Sequence, residues 1–192
     1  MGNATENLQR AAVLPEDDVV RKLHEQHARI RELFQRVRMT MGDERKEAFD
    51  ELRTLIVVHE TAEETIVRPV LRKLIGDEEP NERNNEEAEA TKVLEDLMNM
   101  HIDDADFMVR FGEFEGSVDE HADAEERDEF TAIEQNCSMD ERASMGRKFE
   151  AAAKVAPTRP HPSFAGHEKT SMAVGPIAAL ADRTLDAIAK AG

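Results

Sequence analysis

Two short motifs carry the residues best suited to chemistry, His59-Glu60-Thr61-Ala62-Glu63-Glu64 and His121-Ala122-Asp123-Ala124-Glu125-Glu126. Each sets an imidazole four residues before a carboxylate. In a helix that spacing puts both side chains on one face, one turn apart. Imidazole nitrogen mixed with carboxylate oxygen suits iron, manganese or zinc by ligand type. Carboxylates that bridge between helices favour a two-metal iron or manganese cluster. The chain has no Glu-x-x-His, which disfavours a ferritin-type site. His59-Glu60 is followed by Glu63 and not by the second His that the zinc protease motif needs. Cys137, the one cysteine, has no His or basic neighbour in sequence to activate a thiol nucleophile.

These residues must be positioned by helices. Val20, Leu23, His27, Ile30, Phe34, Val37 and Met41 step by 3 and 4, which predicts a helix over 17–41 with Gly42 as its stop. Phe49, Leu52, Ile56, His59, Glu63, Ile66 and Val70 predict a second over 44–75, kinked by Pro69. Glu87, Thr91, Leu94, Met98 and His101 mark a weaker third helix over 82–100. Phe107, Phe111, Phe114, Val118, His121, Glu125, Asp128 and Ala132 mark a fourth over 104–135, with a local irregularity expected at Gly112 and Gly116. Three prolines at 157–162 break the helical pattern and read as an extended strap, followed by a short helix over 176–190. No strand-like alternation occurs. The fold class expected is all-α: an antiparallel up-down four-helix bundle with a Pro-rich C-terminal strap and a short terminal helix. The domains expected are an N-terminal extension (1–15), the bundle (16–156) and the strap with its helix (157–192).

His27, His59, Glu63, His121 and Glu125 all occupy stripe positions that should face inward. A buried unpaired carboxylate or imidazolium is costly, so such groups need partners. A single inward His is ordinarily a hydrogen-bonded core residue. Two His-x-x-x-Glu pairs on two stripes point instead to a shared metal. Counting from the turn near 42–44 puts His27 and His59 at one level, and counting from the turn near 101–104 puts Glu87 within a turn of His121.

On these residues the chain resembles the hemerythrin-like (HHE cation-binding) proteins. The matching stretches are Leu23 to Phe34, His59 to Glu64 running on to Arg68-Pro69, and His121 to Phe130, within a resemblance over 17–135. The strap and the last helix look like the tails of bacterial, particularly actinobacterial, members. The resemblance implies a four-helix bundle holding two iron ions, oxo- or carboxylate-bridged, with manganese or zinc as the lesser alternatives. It implies His27, His59 and His121 as ligands, with Glu63 and Glu125 as bridging or terminal carboxylates. The family's usual Asp-His in the first stretch is Gln26-His27 here, and His24, one turn earlier, reads as packing or as support for a ligand. The third helix departs from the pattern. It has no His where the family expects one, and Glu87 fills that slot as a candidate replacement ligand or as one more member of a solvated acidic run. His101, 14 residues from Glu87, is too far along the helix to substitute.

The expected function is a non-haem di-iron protein handling O2, hydrogen peroxide or NO. An anionic Glu in place of a neutral His stabilises the higher oxidation state, which favours peroxide decomposition, catalase-like or peroxidase-like, over reversible O2 carriage. The rivals are an iron or redox sensor without turnover and a metal-free structural bundle. Composition narrows the partners. The net charge is −17, from 25 Lys and Arg against 42 Asp and Glu, which excludes nucleic acid and disfavours an anionic membrane surface. No apolar run is long enough to span a bilayer, the start lacks the apolar stretch of a signal peptide, and a lone cysteine suits a reducing compartment. A cytoplasmic monomer or homodimer with small-molecule partners is expected. His161 and His167 in the strap read as surface or packing residues. Phe164 and the final helix are expected to pack on the bundle or on another subunit.

Overall fold

The computed structural model describes residues 3–161 and Asp182. It is helical, with no strand among the described residues. Helix α1 (Ala4–Ala12) is capped by Asn3, whose side chain accepts from the Glu6 N–H at 2.8 Å. Helix α2 (Val19–Met39) is capped by Asp18, which accepts from the Val20 N–H at 2.9 Å. Helix α3 (Gly42–Ala62) runs without a break through a π turn (Glu63–Val67) into α4 (Arg68–Ile75). Gly76, at φ 89°, adopts the left-handed backbone that ends α4. Helix α5 spans Glu78–Met98. Helix α6 (Ala105–Ala124) runs through a second π turn (Glu125–Glu129) into α7 (Phe130–Asn136). Helix α8 (Met139–Val155) opens with a capping box between Ser138 and Glu141.

Several sequence expectations are corrected here. Gly42 is not the stop of the first long helix. That helix ends at Met39, and Gly42, at φ 57°, is the first residue of α3. The third long helix starts at Glu78, four residues earlier than its stripe suggests. The irregularity attributed to Pro69 lies before it, as a π turn in which the Arg68 N–H bonds to the Glu63 carbonyl. Pro69 then falls in the first turn of α4, where a missing N–H costs least. Gly112 and Gly116 cause no break. Helix α6 is regular through both, because the buried Phe107, Phe111 and Phe114 outweigh a glycine penalty of up to about 1 kcal/mol each. The real irregularity is at Glu125, whose carbonyl accepts from the Phe130 N–H. Helices α1 and α8 add to the four read from the stripes.

Each π turn inserts one residue and shifts the helix phase. Beyond Glu63 the inward residues are Val67 and Leu71, not the expected Ile66 and Val70, which are only half-buried. Beyond Glu125 they are Glu129 and Ile133 rather than Asp128.

The apolar core has two parts. One joins α2, α3, α5 and α6 through Ile30, Phe34, Phe49, Leu52, Leu94, Phe107, Phe111 and Phe114. The other joins α2, α4, α7 and α8 through Val20, Leu23, Leu71, Phe130, Ile133, Met145 and Phe149. Burial of such side chains contributes on the order of 1.5–3 kcal/mol each. Along α2 the order is Leu23, His27, Ile30, and along α3 it is Ile56, His59, Ala62, so the inward polar residues form a layer between the two apolar ones. No helix among the described residues is long and apolar enough to cross a membrane.

Residues 156–161 are non-helical, and Pro157, Thr158 and Pro160 are buried. The Asp182 carboxylate accepts from the Thr158 and Arg159 N–H groups at 3.1 and 3.0 Å and lies 3.0 Å from His161 Nε2. The remaining readings on the C-terminal stretch, including the helix over 176–190, Phe164 and His167, lie outside the described residues.

Candidate metal centre

The polar layer brings its donor atoms into two adjoining groups. The first is His27, His59 and Glu125, and the second is Glu60, Glu87, His121 and Glu125. Within each group the donor atoms lie within 4.8 Å of one another. His27 Nε2 is 3.2 Å from His59 Nε2 and 3.4 Å from Glu125 Oε2. His121 Nε2 is 3.1 Å from Glu125 Oε1 and 3.9 Å from both Glu60 Oε2 and Glu87 Oε1. Glu125, fully buried, thus turns one oxygen toward each group. Glu63 is also fully buried but stands aside, with Oε1 3.9 Å from His59 Nε2 and Oε2 3.5 Å from Arg68.

The three imidazoles are held in one tautomer. His27 Nδ1 lies 2.8 Å from Glu126 Oε1, His59 Nδ1 2.7 Å from Gln26 Oε1 and His121 Nδ1 2.8 Å from Glu86 Oε2. These oxygens are acceptors, so each Nδ1 carries a hydrogen, and in the neutral ring each Nε2 presents its lone pair inward. An outer acceptor that orients the ring in this way is the usual support of a metal-bound histidine.

The centre carries an excess of acid. Glu63, Glu87, Glu125 and Glu129 surround the guanidinium of Arg68, which is fully buried, and Glu60 adds a fifth carboxyl to the same centre. Arg68 Nη2 contacts Glu87, lies 2.7 Å from Glu125 Oε1 and 3.5 Å from Glu63 Oε2, while Nη1 contacts Glu129. Burial opposes ionisation of Glu125, yet the charges of His121 and Arg68 and the close approach of the His121 and His27 rings hold its carboxyl well below the usual range. Burial and neighbouring carboxylates push Glu60 and Glu63 well above it. Burial likewise raises Glu129 to about 8 despite Arg68. Burial also opposes charge on His27 and His121, but their carboxylate partners outweigh it and both are raised. His59, with burial and His27 against it, falls to about 3.

These groups suit a cation on one decisive observation. Glu60 Oε2, Glu63 Oε1, Glu87 Oε2, His121 Nε2 and Glu125 Oε2 are buried without a hydrogen-bond partner. Buried polar atoms are rarely left so. His121 Nε2 is at ion-pair distance from Glu125 but lacks hydrogen-bond alignment.

The other histidines stand apart. His24 is buried, 3.1 Å from Asn7 Nδ2, with its ring edge-on to Phe130 at 5.0 Å. His101 is exposed at the turn before α6. His161 lines a cavity of about 720 Å³ that also touches Glu60, Glu87 and His121, with walls from Ile56, Leu94 and Phe114. Sequence reasoning missed Glu60, Arg68 and the outer acceptors Glu86 and Glu126. Glu86 had a signal, because it precedes Glu87 as Gln26 precedes His27. In a comparison with protein families, residues 18–133 match the hemerythrin HHE cation binding domain. No curated protein and no solved structure matches the chain.

Proposed function

The chain belongs to the hemerythrin HHE cation-binding family, and from that premise we propose a non-haem di-iron protein that handles O2, hydrogen peroxide or NO. The ion positions are the His27–His59–Glu125 group and the Glu60–Glu87–His121–Glu125 group, with Glu125 common to both and Glu63 beside the first. A centre held between two apolar layers of an all-helical fold supports this reading, since bundle cores are where facing helices build metal sites. The observation that carries the reading is the set of five buried donor atoms without partners, His121 Nε2 among them, beside the inward Nε2 atoms of His27 and His59.

Bound iron would supply one-electron redox chemistry and an open position for the small molecule. The protein's residues do the rest. Gln26, Glu86 and Glu126 fix the imidazoles, and the apolar layers above and below exclude water. The cavity beside Glu60, Glu87 and His121 gives a small molecule room to approach. Glu60 lines that cavity beside Glu87 and His121, so a molecule entering it meets the donors of the second ion position first.

A carboxylate, Glu87, in the place of a neutral third-helix imidazole favours the ferric state, and with it peroxide decomposition over reversible O2 carriage. The test is to mix iron-loaded protein with hydrogen peroxide and follow peroxide loss, with Glu125→Gln as control. Consumption that collapses in the variant is expected. An iron-loaded protein inert to peroxide, O2 and NO would contradict the proposal.

A further inference from the structure

The two halves of the centre follow one plan. Gln26-His27 on α2 and Glu86-Glu87 on α5 play matching parts. The first residue of each pair accepts from an imidazole on another helix, Gln26 from His59 and Glu86 from His121. The second residue belongs to one ion position, His27 to the first group and Glu87 to the second. On the partner helices, His59, Glu63, Glu64 and Arg68 correspond to His121, Glu125, Glu126 and Phe130, each 62 positions later, and each set runs through a π turn.

The halves differ at two places that touch each other. One half has His27 beside Phe130, with ring centroids 5.2 Å apart. The other has Glu87 paired with Arg68. A neutral pair has been exchanged for a charged one. The guanidinium sits on particular oxygens, since its Nη2 contacts Glu87 Oε1 and lies 2.7 Å from Glu125 Oε1. Those are the two oxygens that approach His121 Nε2, at 3.9 and 3.1 Å. Glu125 Oε2, which faces His27 at 3.4 Å, makes no hydrogen bond. Arg68 therefore covers two donor oxygens of one ion position, Glu87 Oε1 and Glu125 Oε1, and no donor atom of the other.

We propose that Arg68 is a built-in competitor for the second ion position, so that the centre loads in order. The first ion binds at His27, His59 and Glu125. The second enters among Glu60, Glu87, His121 and Glu125 only against the guanidinium. Two cations on shared carboxylate oxygens repel strongly in a buried site. When the second ion binds, Arg68 gives up Glu87 and Glu125 and keeps Glu129, which it holds through the other nitrogen and which belongs to neither group. This inference rests on the proposed two-position metal site.

The test is equilibrium dialysis of the metal-free full chain against Fe(II) without oxygen, for the unaltered protein and for Arg68→Gln. In the unaltered protein the second ion should bind at least about tenfold more weakly than the first, and the gap should close in the variant. Because Arg68→Gln leaves buried carboxylates without their cation and can lower stability, a second readout uses the unaltered protein alone. Imidazole nitrogen NMR during a Zn(II) titration should show the first equivalent shifting His27 and His59, and His121 responding only to the second. Two equal sites, an unchanged gap in a folded variant, or His121 responding together with His27 would overturn the role of Arg68 while leaving the metal site standing. No binding of any ion would overturn the metal site itself, and the competitor with it.

Discussion

His27 and His59 present their Nε2 atoms to each other at 3.2 Å across the interface of α2 and α3. Each has its Nδ1 engaged elsewhere, His27 with Glu126 and His59 with Gln26. Two lone pairs so placed repel unless a proton or a metal ion lies between them. The outer acceptors therefore decide whether the pair can serve as ligands. Gln26→Ala and Glu126→Gln should each weaken metal retention by about 10–100-fold while the protein stays folded, measured by competition with a chelator. Unchanged retention in both would show that the ring orientation is set by packing alone.

Arg31 carries this support outward to the first helix. Its guanidinium contacts Asn7 of α1 and lies 2.8 Å from Glu126, 2.8 Å from Asp123 and 3.1 Å from Asp119. Arg31→Ala removes the guanidinium partner of a nearly buried Glu126, which keeps His27, and should cost on the order of 3 kcal/mol in urea unfolding. Asn7→Ala, which removes one neutral hydrogen-bond partner each from Arg31 and His24, should cost less, about 1–2 kcal/mol. A larger loss for Asn7→Ala than for Arg31→Ala would contradict this order.

His24 sets an acid-side pH dependence. Burial lowers its pKa from 6.5 to about 4 against the opposing charge of Glu126. The unfolded chain takes up a proton on this residue below about 6.5, whereas the folded chain does so only near 4. Its contribution is therefore complete above about 6.5 and is lost as the pH falls toward 4. Relative to His24→Gln, the unaltered protein should lose roughly 1–3 kcal/mol across that window and nothing between pH 7 and 8. Parallel stability curves for the two proteins would show that His24 does not titrate in this way.

Gly146 lets α8 close against the link before α2. A Cβ there would meet the Asp17 carbonyl oxygen at 2.0 Å, and that atom is backbone and cannot turn aside. Gly146→Ala should destabilise the protein by about 1–3 kcal/mol despite alanine's better helix propensity. A variant as stable as the parent would mean that α8 docks more loosely.

The candidate ligands that precede or open the π turns were legible in the sequence. His27, His59, His121 and Glu125 sit at steps of 3 and 4 among buried apolar residues, so their inward direction follows from helix geometry alone. Glu60 was not, because it lies one position past His59, off the stripe, and reaches the centre from the flank that borders the cavity. Arg68 and Glu129 were hidden for a different reason. Arg68 follows one π turn and Glu129 ends the other, and the extra residue of each shifts the phase, so a stripe continued at regular spacing points to Ile66 and Asp128 in place of Val67 and Glu129. A π turn leaves no composition signal, but both begin at the Glu of a His-x-x-x-Glu pair. Interruptions of this kind are frequent at functional sites.

The most direct test of the shared cation site at Glu125 is the iron content of protein loaded with Fe(II) and then desalted, read together with its near-ultraviolet spectrum. The chain has no Trp and no Tyr, so the polypeptide absorbs almost nothing at 280 nm and above, and any band there reports the metal. The expected result is retained iron with a near-ultraviolet band, both lost in Glu125→Gln. A folded, desalted protein with no iron and a blank near-ultraviolet spectrum would contradict the metal centre.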